Sequence, residues 1–476
     1  MLRFALALVG LIAAVPAATQ PAPRPRPIPP PLSQPITRGE LAQIDQLVTE
    51  TLQETGVPSA SIAIVRDGRI VLTKAYGKAN EALPARSDLP YQIASISKQF
   101  TAMGLLLLED EVKLDLDDTV AKWLPGISRG DQITIRQLLS HTAGLRDYWP
   151  QDYMLPAMER PTRPQGIVDR WARQRLDFPP GDDWQYSNTG YIVAGMILEK
   201  AAGEPLMAFL KRRVFAPAGV TALNQDDTFR PGFPRGYSRY ALGPVRPSPV
   251  PARGWMFATG MLSMSAPDLA QWNIARMNRA IFPADNWVEQ EKPVIRSDGT
   301  TNGYGLGVSR THTRLRRIIS HTGGAVGFFS RNNVYPDSRA SITVLTNADF
   351  SNAINTITQG IEKIVLGAPP APSNEPPRTE DAKALYAEIV HGTLDRRKLT
   401  ANLNHYFDAR TLGDYRSSLA PLGEPVIELA GPPNLRGGFV GRSYSVKYRG
   451  GRTLSLSTYA EPGANGRWDQ FIVSGD

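Results

Sequence analysis

The chain has 476 residues, 42% hydrophobic and 21% charged, enough apolar material for a large buried core and too little charge for a disordered polymer. It has no cysteine, which excludes a thiol nucleophile, a disulfide framework, an iron–sulfur cluster and Cys-ligated zinc, and its five scattered histidines imply no metal or other cofactor. The formal net charge of +8, from 53 Lys+Arg against 45 Asp+Glu, is spread along the chain rather than gathered in blocks, which argues against a nucleic-acid partner.

Met1 to Arg3 is short and basic, 4–14 is an unbroken apolar run, and small residues follow at 15–18. About eleven apolar residues fall short of the roughly 20 needed to span a bilayer, so 1–18 is expected to be a cleaved secretory signal. The chain is then exported, periplasmic or secreted, with no stable membrane span left. Eight prolines between Pro21 and Pro35 predict a stiff polyproline spacer over 19–37.

Regular structure begins at 38. Leu41, Ile44, Leu47, Val48 and Leu52 fall at helical spacing, and Gly56 closes that helix. Strands are predicted over 59–65 and 70–76 around the turn Arg66-Asp67-Gly68. From 99 to 293 the texture is helical and loopy. Strand texture returns over 304–308, 317–320, 331–335 and 341–347. The pattern predicts an α+β domain over 38–366, with one sheet assembled from both ends and a helical lobe beside it. A second Pro-rich linker over 367–378 leads to a small α+β domain over 379–476, helical over 382–418 and then strand-like over 442–447, 453–459 and 468–473.

Two serine motifs compete. Gly126-Ile-Ser128-Arg-Gly130 matches a nucleophile elbow, but no buried strand precedes it and no helix follows at once, so it reads as a surface loop. Ser95-Ile96-Ser97-Lys98 sits at the start of the apolar helix 99–108, with Lys98 on the same face as Ser95. Free backbone N–H groups and the positive end of the helix dipole suit an oxyanion there. Two further elements follow in order. Tyr186-Ser187-Asn188 ends a Pro/Gly-rich loop and enters a helix over 188–200, and Ser320-His321-Thr322-Gly323-Gly324 ends a strand.

This ordered set resembles the serine β-lactamase and penicillin-recognising family, which includes class C β-lactamases, D-alanyl-D-alanine carboxypeptidases, D-aminopeptidases and related esterases. The stretch around Leu139-Ser-His-Thr-Ala-Gly-Leu145, Tyr304-Gly-Leu-Gly307 and Gly324-Ala-Val-Gly-Phe-Phe-Ser330 adds to the likeness. The resemblance implies Ser95 as nucleophile and Lys98 with Tyr186 as the coupled base that later protonates the leaving group. It implies Asn188 as the residue orienting Lys98 and substrate, and the N–H groups of Ser95 and Gly324 as the oxyanion hole. Gly323 and Gly324 are expected to let the backbone approach the acyl group closely. His141 is expected to be structural.

His321 stands where lactamases and carboxypeptidases generally carry lysine. A neutral imidazole offers a carboxylate a hydrogen bond instead of a permanent charge, so anionic β-lactams should be held weakly unless Arg331 substitutes. The expected substrates are small molecules or peptides, cell-wall fragments among them, cleaved at ester or amide bonds. The alternative is a covalent penicillin-binding sensor that acylates without turnover. The C-terminal segment resembles the cystatin-like cone domains appended to such hydrolases, a lipocalin-like barrel being the other reading.

Overall fold

The computed structural model describes residues 35–151, 153–239, 243–313, 316–367, 378–431, 433–436 and 439–475. The expected signal, most of the polyproline spacer and residues 368–377 of the second linker lie outside these. Helix α1 (Arg38–Thr55) is fixed at both ends. Thr37 and Glu40 form a reciprocal capping box, and Gly56 adopts the left-handed conformation that ends a helix. Strands β1 (Ser59–Arg66) and β2 (Arg69–Gly77) then form a hairpin through Asp67 and Gly68, both at positive φ as a primed turn requires.

Helices α2 (Lys98–Asp110), α3 (Asn188–Ala202) and α4 (Ala266–Asn278) belong to the long central segment. Strands β3 (Ser309–Thr313), β4 (Arg316–Ala325), β5 (Phe328–Tyr335) and β6 (Ala340–Thr346) follow, and α5 (Ala353–Leu366) comes last in this part. The sheet order is β2-β1-β6-β5-β4-β3, antiparallel throughout, so the first and last strands of the domain pair inside the sheet, covered at the edge by β2. Strands β1 and β6 are buried on both faces. On one face Ile62, Ile64, Ile342 and Val344 pack with Ile44 and Val48 of α1 and Ile357 and Ile361 of α5. On the other, Ala63, Val65 and Leu345 join the large core of the helical lobe. A one-residue slip of β1 would exchange these two sets, leaving cavities where Ile62 and Ile64 had packed and overfilling the side of Ala63, which fixes the register.

Strand residues 304–308 are an exception to the predicted elements. Tyr304 and Val308 are buried, which mimics a strand, but Gly303 and Gly307 take left-handed φ values of 86° and 77° and the segment is a loop before β3. The lobe also holds a small sheet of Tyr91–Gln92, Leu262–Met264 and Ala222–Asn224, strands too short to show a period.

Beyond the linker, helices α6 (Thr379–His391), α7 (Ala401–Tyr406) and α8 (Ala409–Leu419) precede an antiparallel sheet of Val426–Leu429, Phe439–Lys447, Thr453–Ala460 and Trp468–Gly475. These elements share a core of their own that includes Leu385, Phe407, Leu456 and Phe471. The whole is a mixed fold of helices and antiparallel sheets. No helix among the described residues is long and apolar enough to cross a membrane.

Candidate active site

Ser95 lies in a 3-10 turn, Ala94–Ser97, directly ahead of α2, half-buried at the wall of a cavity of about 480 Å³. The turn is entered through Ala94 at φ 45°, a left-handed conformation that costs a non-glycine residue roughly 1–3 kcal/mol. Two anchors hold it. Ile93 N–H donates to the Leu262 carbonyl at 3.0 Å, and the Ser330 hydroxyl donates to the Ile93 carbonyl at 2.9 Å.

Lys98 is the first residue of α2 and is fully buried. Its Nζ lies 3.0 Å from Ser95 Oγ, 2.8 Å from Asn188 Oδ1 and 2.9 Å from the Thr259 carbonyl oxygen. Burial pushes its pKa down to about 7, against the pull of the Asp147 charge. As a neutral amine, Lys98 has two N–H bonds for the two fixed acceptors, Asn188 and Thr259, and one lone pair facing the Ser95 hydroxyl.

Asn188 turns its carbonyl end to Lys98 because Asp147 holds the other end. Asn188 Nδ2 donates to Asp147 Oδ2 at 3.2 Å, and Asn188 N–H donates to Asp147 Oδ1 at 3.1 Å. Ser187 caps α3 by accepting from Gly190 N–H, so Asn188 rides on a fixed helix start. Tyr186 lies under Lys98, with Nζ 4.8 Å from the ring centroid. Its hydroxyl is buried and makes no well-formed hydrogen bond among the described residues. Burial pushes the phenol above its ordinary pKa, and the neighbouring Ser95 hydroxyl pulls the other way.

A directional chain of hydrogen bonds runs behind Tyr186. Ser187 N–H donates to His141 Nδ1 at 3.1 Å, so His141 carries its proton on Nε2, which donates to Tyr304 Oη at 3.2 Å. Tyr304 in turn donates to His321 Nε2 at 2.8 Å, and His321 Nδ1–H donates to the Thr322 carbonyl at 2.5 Å. The ends are a backbone donor and a backbone acceptor, neither of which can reverse, so both tautomers are set. Burial keeps both rings neutral, pushing His321 down to about 4 and His141 well below its ordinary value. The His141 carbonyl also accepts Gln185 N–H at 3.0 Å, so this residue grips the Tyr186 loop from two sides. His141 is itself strained, at φ 62°.

The predicted residues Ser95, Lys98, Tyr186, Asn188, His321 and Gly324 therefore converge, and all but Lys98, whose Nζ lies behind the wall, line the cavity. Three details differ from the sequence reading. His321 is in the wall, but both its ring nitrogens are bonded within the protein, so it holds no free donor for a substrate carboxylate. Gly323 is buried and faces the turn rather than an acyl group: a Cβ there would sit 2.1 Å from the Ile93 carbonyl oxygen and 2.2 Å from Ser330 Oγ. Strand alternation puts Arg331 on the α5 side, bonded to Asn355 and Asn333, away from the cavity. Ser128 lies in a turn whose N–H donates to Ala172, outside the cavity wall.

Three contributors have no role in the sequence reading. Asp147 stands two residues past the Ser-His-Thr-Ala-Gly-Leu stretch, and Tyr304 heads the Tyr-Gly-Leu-Gly stretch, so both adjoin recognisable motifs. Thr259 acts through its carbonyl, which leaves no side-chain signal. The cavity wall carries Asp147 and Asp349, and among its described residues there is no arginine or lysine.

The sequence pattern of the family described as Beta-lactamase matches residues 44–359, about two thirds of the chain. The chain belongs to the β-lactamase family. It is similar to penicillin-binding protein 4* of Bacillus subtilis (strain 168), 29% identical over 410 residues that make up 80% of this chain and 89% of that protein. A D-stereospecific amidohydrolase from Streptomyces sp. superposes with a TM-score of 0.60 at 28% identity, covering 68% of this chain and 98% of that one. The octameric penicillin-binding protein homologue from Pyrococcus abyssi shares the fold, with a TM-score of 0.61 at 20% identity over 91% of this chain and 95% of that one. This β-lactamase-family chain thus has the fold of the family's serine hydrolases.

Proposed function

We propose that the protein is an exported serine hydrolase that forms an acyl-enzyme on Ser95 and cleaves esters or amides that carry no carboxylate beside the scissile bond, D-amino-acid amides among them. The observation that carries this reading is the three-way coordination of Lys98 Nζ, with Ser95 Oγ the one neighbour able to give it a proton. An ordinary lysine costs about 5 kcal/mol to neutralise at neutral pH, whereas one with a pKa near 7 costs under about 1.

In the first step Ser95 Oγ bonds to the substrate carbonyl carbon and its proton passes to Lys98 Nζ. The N–H groups of Ser95 and Gly324 receive the oxyanion. As the carbon–leaving-group bond breaks, the Tyr186 hydroxyl protonates the departing nitrogen or oxygen, and Lys98 then returns its proton to Tyr186. Water hydrolyses the acyl ester by the same route in reverse. Tyr186 is the acid in this scheme because burial disfavours its phenolate.

The cavity wall supports the choice of substrate. Asp147 and Asp349, with no lining arginine or lysine among the described residues, favour an ammonium near the scissile bond and disfavour a β-lactam carboxylate. The likeness to a D-stereospecific amidohydrolase points the same way. The test is a panel of nitrophenyl esters, D-aminoacyl nitroanilides and nitrocefin, assayed with wild type and Ser95→Ala. Steady turnover of esters and D-aminoacyl amides that vanishes in Ser95→Ala is expected. A single burst of product followed by no rate would instead establish the covalent sensor.

A further inference from the structure

We propose that a second cavity, next to the first, is an acyl-side subsite that takes an apolar acyl tail with an anionic end. The proposal rests on the reading of Ser95 as the acylated nucleophile. This cavity has a volume of about 440 Å³, and Val326, in the turn between β4 and β5, lines both cavities.

The wall between them is built closely. Gly236 packs on Gly327 so tightly that a Cβ on Gly327 would lie 2.6 Å from Gly236 Cα. Asp349 Oδ2 accepts from Gly327 N–H at 2.7 Å and from the Ser238 hydroxyl at 2.8 Å, and Ser238 and Ser248 share a hydrogen bond of 2.6 Å. The turn thus has a fixed position between the two cavities.

Direction follows from the proton donor. The leaving group must lie beside Tyr186, which stands next to His321, with ring centroids 6.3 Å apart. Strand β4 runs from His321 past Gly324 to Ala325, so the acyl side of the substrate faces the opposite way, toward Val326. A tail extending from the acyl carbon passes Val326 and enters the second cavity.

Its chemistry is unlike that of the first. Phe229, Phe233, Phe328, Pro231 and Val250 supply an apolar lining. At the rim, Arg235 is paired with Glu81 at 3.4 Å. The Arg230 guanidinium lies 5.0 Å over the Phe233 ring and donates to the Asp227 carbonyl, with no carboxylate partner among the described residues. An anionic group is repelled by Asp147 and Asp349 in the first cavity and drawn to Arg230 in the second. Apolar length should therefore raise the rate, and a negative end should raise it over a positive one.

The experiment compares 4-nitrophenyl acetate, octanoate, the octanedioate monoester and 8-aminooctanoate with wild type, Val250→Trp, Ala82→Trp, Arg230→Glu and Ser95→Ala. The two tryptophans are placed at the exposed rim to fill the cavity, and two are used so that a folding defect in one does not decide the matter. Wild type is expected to prefer octanoate to acetate by at least about tenfold in kcat/KM. Both tryptophan variants should lose most of that preference with acetate hydrolysis unchanged. Arg230→Glu should invert the order of the octanedioate and aminooctanoate esters. Wild-type rates independent of tail length, or a length preference that survives both tryptophans, would overturn the subsite. Equal rates for the two charged tails would overturn the anionic end. Hydrolysis surviving in Ser95→Ala would overturn the underlying reading instead, a result distinct from failure of the subsite alone.

Discussion

Lys98 and Gln99 are neighbours at the start of α2, and they open onto two buried polar clusters with opposite designs. Gln99 Oε1 accepts from Trp272 Nε1 at 2.8 Å and from Arg276 Nη2 at 2.9 Å. Arg276 in turn meets Gln290 at 2.6 Å and the Glu291 carboxylate at 3.2 Å, the two charged side chains being 1% and 6% exposed. Lys98 is as deeply buried, yet no carboxylate touches it, because Asn188 stands between its ammonium and Asp147. Taking an ion out of water costs several kcal/mol. Arg276 offsets that cost with a direct partner and keeps its charge, whereas Lys98 offsets it by giving up its proton. One cluster therefore holds the domain together, and the other supplies the base of the proposed mechanism.

The largest effect should come from Lys98→Met. It removes the proposed base without burying a new charge, so kcat/KM for ester hydrolysis should fall by about three orders of magnitude while the thermal unfolding transition remains cooperative. Arg276→Leu should do the reverse. Leaving Glu291 short of its buried partner should cost about 3 kcal/mol of unfolding free energy in denaturant titrations, with kcat/KM little changed well below Tm. A large activity loss in that variant would erase the distinction between the clusters.

Asp147→Asn sharpens the comparison. It frees the Asn188 amide to turn, which should lower kcat/KM by roughly tenfold or more. It also removes the one charge that favours the Lys98 ammonium, so the rising limb of kcat/KM against pH should move to lower pH. A limb moving upward would contradict the assignment. Tyr304→Phe should have the smallest effect. Losing the central hydroxyl of the chain should cost about 1 kcal/mol in kcat, roughly fivefold, with KM unmoved. Imidazole ¹⁵N shifts should report the lost hydrogen bond at His321 Nε2 with the Nδ1–H tautomer kept by Thr322, a signature that a packing change alone would not give.

Much of this was legible in the sequence, for identifiable reasons. The β1–β2 hairpin announces itself through alternation and Asp67-Gly68, and the pairing of β1 with β6 follows from strand texture at both ends of the domain. Ser95, Lys98, Tyr186 and Asn188 stand in short motifs at element starts, where local chemistry and geometry coincide. The directions of side chains at the far end of the site were not legible. Arg331 and His321 are both polar residues on neighbouring strands, and only the alternation of β5 and the loop position of Tyr304 decide that one turns away and the other is already bonded. Gly323 reads as room for substrate, yet the room is taken by Ile93.

The most direct test of the central claim is the titration of Lys98 itself, followed by NMR of ¹³C/¹⁵N-lysine-labelled protein with Lys98→Met to identify its signal. Burial without a contacting carboxylate predicts a midpoint at about 7. A side chain that stays protonated to above about pH 9, near the ordinary lysine range, would contradict the account.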